Sequence, residues 1–245
     1  MTLTSTGIAF SISSIGLAFC GIRFYEAFKK MGGSSSGRQT GILLSIFYLS
    51  LSLQHAILAI GGLFFANSPE TLYVILSIDH ILLGLITALG MYLMFYIFFP
   101  RLSPWPATYA ILILGIFVAW LTVVTHPLPF VTEANNMDWN LSYQLKIWTY
   151  LLLVINTGLP FVIFSRNFFF AKTRQVKNIS LIIMSIHFLG IINISILFNK
   201  ILAINEVKNE VFNTILIVIG LLFIVAFLIM PLIMKWKIKK IEKQF

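Results

Sequence analysis

Leu72–Phe98 reads LYVILSIDHILLGLITALGMYLMFYIF, and Asp79 is its only charged residue, with His80 beside it. A helix needs about 20 predominantly apolar residues to cross the hydrocarbon of a bilayer, and this run exceeds that. Working outward, six further stretches have the same character, approximately Gly7–Phe28, Gly41–Phe64, Ala107–Thr125, Ile147–Phe164, Ile179–Phe198 and Phe212–Met234. In lipid each backbone N–H and C=O must be bonded within the chain, so such runs are read as helices. The sequence therefore predicts an all-α polytopic membrane protein, a single domain of seven transmembrane helices over residues 1–245. Composition agrees, with 59% hydrophobic and only 10% charged residues, where a soluble domain carries about 25% charged residues. At roughly 35 residues per helix and loop, no second soluble domain fits.

The basic residues fall in alternate gaps. Arg23, Lys29, Lys30 and Arg38 follow the first stretch, Arg101 the third, and Arg166, Lys172, Arg174 and Lys177 the fifth. Lys235, Lys237, Lys239, Lys240 and Lys243 follow the seventh. The opposite gaps hold Glu70, Glu133, Asp138, Glu206 and Glu210 against Lys146, Lys200 and Lys208. Because Lys and Arg are retained on the cytoplasmic side, this predicts an extracytoplasmic N-terminus and a cytoplasmic C-terminus. The net charge of +9 is accounted for by those membrane-flanking segments, which touch anionic lipid. No basic run is interleaved with stacking aromatics, so nucleic acid is not an expected partner; the lipid bilayer is. Met1–Thr6 lacks the basic n-region of a cleaved signal peptide, so the first helix is expected to be its own insertion signal. The one cysteine, Cys20, lies inside the first stretch and supports no disulfide framework.

Three connecting segments stand out. Gly32–Gly37 reads as a flexible cytoplasmic linker, and Phe99–Pro106 as a tight, proline-punctuated turn with an interfacial Trp105. The longest loop, about His126–Lys146, carries Pro127, Pro129, Phe130, Trp139 and Tyr143. It can fold over the helix ends as a lid, or rest its rings at the lipid interface. Asn140-Leu-Ser142 matches a glycosylation sequon.

Polar side chains inside the spans are few: Gln54 and His55 in the second, Asp79 and His80 in the third, Asn156 and Thr157 in the fifth, His187 in the sixth. An ionisable side chain at the centre of a helix costs about 2.5–3.5 kcal/mol to insert, so such residues face the bundle interior and seek partners. At 1.5 Å of rise per residue all lie between the outer third and the midplane. His55 is placed to face Asp79 or His80. Three readings stay open: an interhelical clamp of Asp79 with a protonated histidine, the floor of an outward-facing pocket for a small ligand or proton, or a metal or haem site. No His or Glu pair stands at helical ligand spacing, so no cofactor or metal is expected. Arg23 and Glu26, three apart, permit a local ion pair. Ser11, Ser13, Ser14, Ser45, Ser50, Ser52, Gly84 and Gly90 read as small packing residues.

The seventh stretch has no lysine for a retinal Schiff base and no Asn-Pro-x-x-Tyr, and no Asp-Arg-Tyr follows the third. The histidine-bearing second helix, the Phe99–Trp105 turn, the Pro- and Trp-bearing fourth loop and the basic exit Lys235–Lys243 together resemble the seven-helix sensor regions of bacteria, stand-alone or ahead of histidine kinases. The resemblance implies a sensory module and transfers no functional residue. With about ten residues after the seventh stretch, the module would act through a separate cytoplasmic signalling partner. The expected function is thus an orphan receptor- or sensor-like module with a small ligand in the outer half. Gln54, His55, Asp79, His80, Asn156 and His187 are its candidate ligand-binding residues, and no catalytic residue is assigned. The alternatives are a small-solute or proton-coupled transporter relaying through Asp79 and His187, and an intramembrane haem or metal protein.

Overall fold

A computed structural model describes residues 3–30, 35–172, 174–202 and 207–225. Its helices are α1 (Ser5–Lys30), α2 (Ser35–Phe64), α3 (Pro69–Phe98), α4 (Trp105–Thr125), α5 (Tyr143–Phe170), α6 (Arg174–Leu202) and α7 (Val207–Ile224). Between α4 and α5 lies a small antiparallel hairpin of β1 (Phe130–Val131) and β2 (Met137–Asp138). Six helices, α1 to α6, are long and apolar enough to cross a membrane, which makes this a helical multi-pass membrane protein. The apolar part of α7 that is described, Thr214–Ile224, is shorter. Residues 226–234 of the stretch read as Phe212–Met234 lie outside the described residues, together with the tail 235–245, Glu206 and residues 31–34 of the Gly-Ser segment. Ser35–Gly37, read from the sequence as linker, instead form the first turn of α2.

The helices outrun the apolar stretches because loss of hydrophobicity does not end a helix; caps and prolines do. Pro69 opens α3, where a missing N–H costs nothing. Ser142 caps α5, its Oγ accepting from the Leu145 N–H at 3.4 Å. α4 ends at His126, whose φ of 41° is left-handed, with Pro127 next.

Helix neighbours define a ring. α1 packs on α2 and α7, α2 on α3, α3 on α5, α5 on α6, and α6 on α7. α4 stands outside this ring against α3 and α5. Inside lipid, association relies on close packing and interhelical hydrogen bonds, because the tails are as apolar as the side chains. Gly84 and Gly115 bring α3 and α4 into backbone contact: a Cβ on Gly84 would stand 2.7 Å from the Gly115 Cα. α1 and α2 are joined by serines, Ser14 Oγ donating to the Ser52 carbonyl at 2.8 Å and Ser52 Oγ to the Ser14 carbonyl at 2.9 Å. Ser45 Oγ donates to the Gly21 carbonyl at 2.8 Å. These serines work as packing residues with a bond attached. Gly90 packs tightly too, against Phe47.

The end of the bundle opposite the N-terminus is densely filled by Phe24, Phe47, Leu93, Ile163, Phe164 and their neighbours. Arg23 and Glu26 pair there at 2.8 Å. Arg166 donates to the Ile97 carbonyl at 3.1 Å, over the Phe98 ring, satisfying a carbonyl in the last turn of α3 that has no helical partner. The N-terminal end is built differently. The hairpin folds back onto the start of α1, as the lid expectation had it. The Ser5 N–H donates to the Asn135 carbonyl at 3.0 Å, Asn135 Nδ2 to the Leu3 carbonyl at 2.7 Å, and the Met137 N–H to Thr6 Oγ1 at 3.0 Å. Asn135 holds φ at 57° in the turn, a conformation that asparagine tolerates better than most residues.

Candidate functional site

Beneath the hairpin the ring surrounds a partly open cavity of about 290 Å³. All six candidate residues line it: Gln54, His55, Asp79, His80, Asn156 and His187. Every ring helix contributes, as do the hairpin and the segment after it, through Met137 to Leu141. No residue of α4 does.

The six divide by what they touch. Asp79 faces α2, its Oδ1 accepting from Gln54 Nε2 at 2.9 Å. His55, expected opposite Asp79 or His80, instead turns to α1: its Nδ1 is 2.8 Å from Ser13 Oγ and its ring meets the face of Phe10 edge-on. The reason is rotation. Gln54 and His55 are consecutive and so about 100° apart around α2; with Gln54 on Asp79, His55 falls toward α1. His80 is bonded at both ring nitrogens, Nδ1 to Thr122 Oγ1 of α4 at 2.6 Å and Nε2 to Thr149 Oγ1 of α5 at 3.2 Å. It ties three helices together and has little left to offer a ligand. His187 Nε2 lies 2.8 Å from the hydroxyl of Tyr48, which is fully buried. No histidine pairs with Asp79 among the described residues, so the clamp is carboxylate to amide rather than carboxylate to imidazolium.

Asn156 differs from the rest. Its side chain is 4% exposed, yet its Oδ1 meets no protein hydrogen-bond donor; Asn193, at 3% exposed, is in the same condition. The large majority of buried side-chain polar atoms find partners, so two unpartnered amide oxygens on residues of one cavity wall are informative. Asn193 was not singled out in the sequence. The signal was its spacing: Ile186, Gly190, Asn193 and Ile194 repeat at i, i+4, i+7 and i+8, one face of α6. Pro160 adds a third feature, for it has no N–H to give the Asn156 carbonyl one turn back.

Heights can be compared by counting along the helices at 1.5 Å per residue. From the Tyr48–His187 bond, Gln54 on α2 and Asn193 on α6 each lie six residues nearer the N-terminal end. They therefore share a level with Asp79. Asn156 sits about half a turn deeper, since its neighbour Thr157 packs on Gly190. The carboxylate and both amides thus lie within about one helical turn of depth. Lys146, also on the cavity wall, is one turn nearer the hairpin than Thr149. Tyr48, Ser13, Thr149 and Lys146 were equally beyond a reading by polarity alone, because their roles depend on which helices become neighbours.

Among the described residues no three His, Cys, Asp or Glu side chains come together as a metal-ligand group. The chain matches no protein-family model, no curated protein and no solved structure.

Proposed function

We propose that this protein is a seven-span receptor- or sensor-like module that binds a small ligand in the outer half of its bundle. In this reading the N-terminus and hairpin face outward and the C-terminus lies inside. Support for that orientation comes from Arg23, Arg38, Arg101, Arg166 and Lys172, which cluster at the end of the bundle away from the hairpin. The single observation carrying the binding function is the cavity beneath the hairpin lined by Asp79, Asn156 and Asn193, whose side chains keep unfilled hydrogen-bonding capacity. At about 290 Å³ it is at the small end of ligand cavities, which begin near 300 Å³. Below it the packed aromatic floor separates the ligand from the cytoplasmic face. Ligand occupancy would reach that face through α6 and α7, whose His187 and Phe223 rings meet Tyr48 tilted and edge-on, and pass to a separate cytoplasmic partner.

A second reading, a small-solute carrier, draws on α4. Three helices before it and three after it form the ring, the layout of a three-plus-one-plus-three carrier. The filled inner half weighs against it, because a carrier needs a route inward.

The test is thermal unfolding of the full chain in lipid nanodiscs against a chemically broad panel of small molecules. A ligand at a hundredfold excess over its Kd adds about 2.7 kcal/mol, roughly 5–10 °C for a chain of this size. The double variant Asn156→Leu/Asn193→Leu should remain folded and lose that shift. A panel hit that shifts the double variant as far as the unaltered chain would place binding elsewhere. Uptake of the same hit into proteoliposomes would favour the carrier.

A further inference from the structure

We infer that the ligand is a small organic cation, a protonated amine on an apolar body, with its ammonium group held by Asp79. The inference rests on the binding function proposed above and names the class of molecule that function would serve.

The argument begins with what the cavity lacks in charge. Asp79 is 7% exposed, and the Arg23–Glu26 ion pair and the His126–Glu70 contact both lie elsewhere. A buried ion without a counter-charge is costly, whereas a paired and hydrogen-bonded one is tolerated. The three imidazoles nearby are already engaged, His55 with Ser13, His80 with two threonines and His187 with Tyr48. Lys146 and Asp138 also line the cavity, nearer the hairpin by backbone level, and no ion pair joins Lys146 to Asp79. Asp79 therefore has no cationic protein partner among the described residues.

Hydrogen-bond sense points the same way. Asp79 Oδ1 is taken by Gln54, and no bond to its Oδ2 is made among the described residues. The side-chain oxygens of Asn156 and Asn193 have no protein donor. The carboxylate thus keeps an unfilled acceptor on the cavity wall, with the two amides within about one helical turn of depth. An alkylammonium group offers three donors, a positive charge and no acceptor, which suits that carboxylate. An anion would meet it with like charge, and an alcohol would bring a hydrogen bond without a counter-charge. The remaining wall is mostly apolar, with Leu51, Leu76, Leu83 and Ile219 among its residues, and suits a hydrocarbon body. The hairpin, with Trp139 on the cavity wall, partly covers the site and reduces the access of water, in which an ion pair is weak.

The experiment uses primary ammonium ions from butylammonium to 2-phenylethylammonium, each beside the alcohol of the same skeleton, titrated into the full chain in nanodiscs at pH 7. Thermal stabilisation gives an apparent Kd. At least one ammonium ion should bind about thirtyfold or more tightly than its alcohol, the loss expected when one partner of a buried charge pair is removed. Asp79→Asn should bring the two within a few fold of each other. The ratio in the unaltered chain decides the matter even if Asp79→Asn fails to fold. Alcohols that match their ammonium ions, with both lost in Asn156→Leu/Asn193→Leu, would overturn the cation and leave the pocket standing. Silence from the whole ammonium series, while the broad panel yields a hit lost in the double variant, would also overturn the cation alone. Silence from series and panel together would overturn both.

Discussion

Replacing Asn193 or Asn156 with leucine should stabilise the ligand-free protein, the reverse of what a buried polar residue holding the fold would do. Both amides are almost wholly buried, at 3% and 4% exposure, and neither Oδ1 has a protein partner. A buried polar group left unsatisfied costs about 1–3 kcal/mol. The lower figure applies here, because each amide borders the cavity and is not packed on every side. Leucine, close in size, removes that cost and no protein hydrogen bond to the oxygen is lost. Each substitution should therefore add about 1 kcal/mol, or roughly 2–4 °C in Tm. Tyr48→Phe supplies the contrast. It deletes the hydroxyl 2.8 Å from His187 Nε2 and strands a buried imidazole, so it should cost about 1–3 kcal/mol. The assay is thermal unfolding of the full chain in nanodiscs without ligand, all variants at one scan rate, since irreversible unfolding makes Tm depend on it. If the asparagine variants melt below the unaltered chain by as much as Tyr48→Phe does, the amides are structural and the binding argument loses its foundation.

Three further outcomes follow from other parts of the structure. Gly84→Val should cost about 1–3 kcal/mol by forcing α4 off α3, seen as a lower Tm, while ligand affinity holds within a few fold because α4 lines no part of the cavity. Thr6→Val removes the acceptor of the buried Met137 N–H at 3.0 Å; a loss of even 1 kcal/mol opens the hairpin about fivefold more often, read as faster proteolytic nicking near Glu133. In a Cys20→Ala background, Glu133→Cys in intact cells should react with an impermeant maleimide and Arg101→Cys should not; the opposite pattern would reverse the orientation.

Much of this was legible in the chain. The apolar stretches mark helices because lipid leaves the backbone no other way to bond. The alternation of Lys and Arg predicts their direction, and an ionisable residue in hydrocarbon draws attention to itself, as Asp79 did. All six candidate residues reach one cavity, but for different ends. Asp79 and Asn156 present capacity to it, whereas His80 and His187 are consumed by Thr122, Thr149 and Tyr48.

What the sequence by itself determined is therefore axial: which segments are helices, and the order of the polar residues along each. What only the tertiary structure decided is azimuthal. A soluble helix advertises its inner face by an apolar stripe, but here the outer face meets lipid and is just as apolar, so the stripe is faint. Which of Gln54 and His55 meets Asp79, that Asn193 turns inward, and that α4 is left outside the ring all depend on rotation and packing. Close contacts such as Gly84 against Gly115 set those, together with the hydrogen bonds that sew the hairpin to α1.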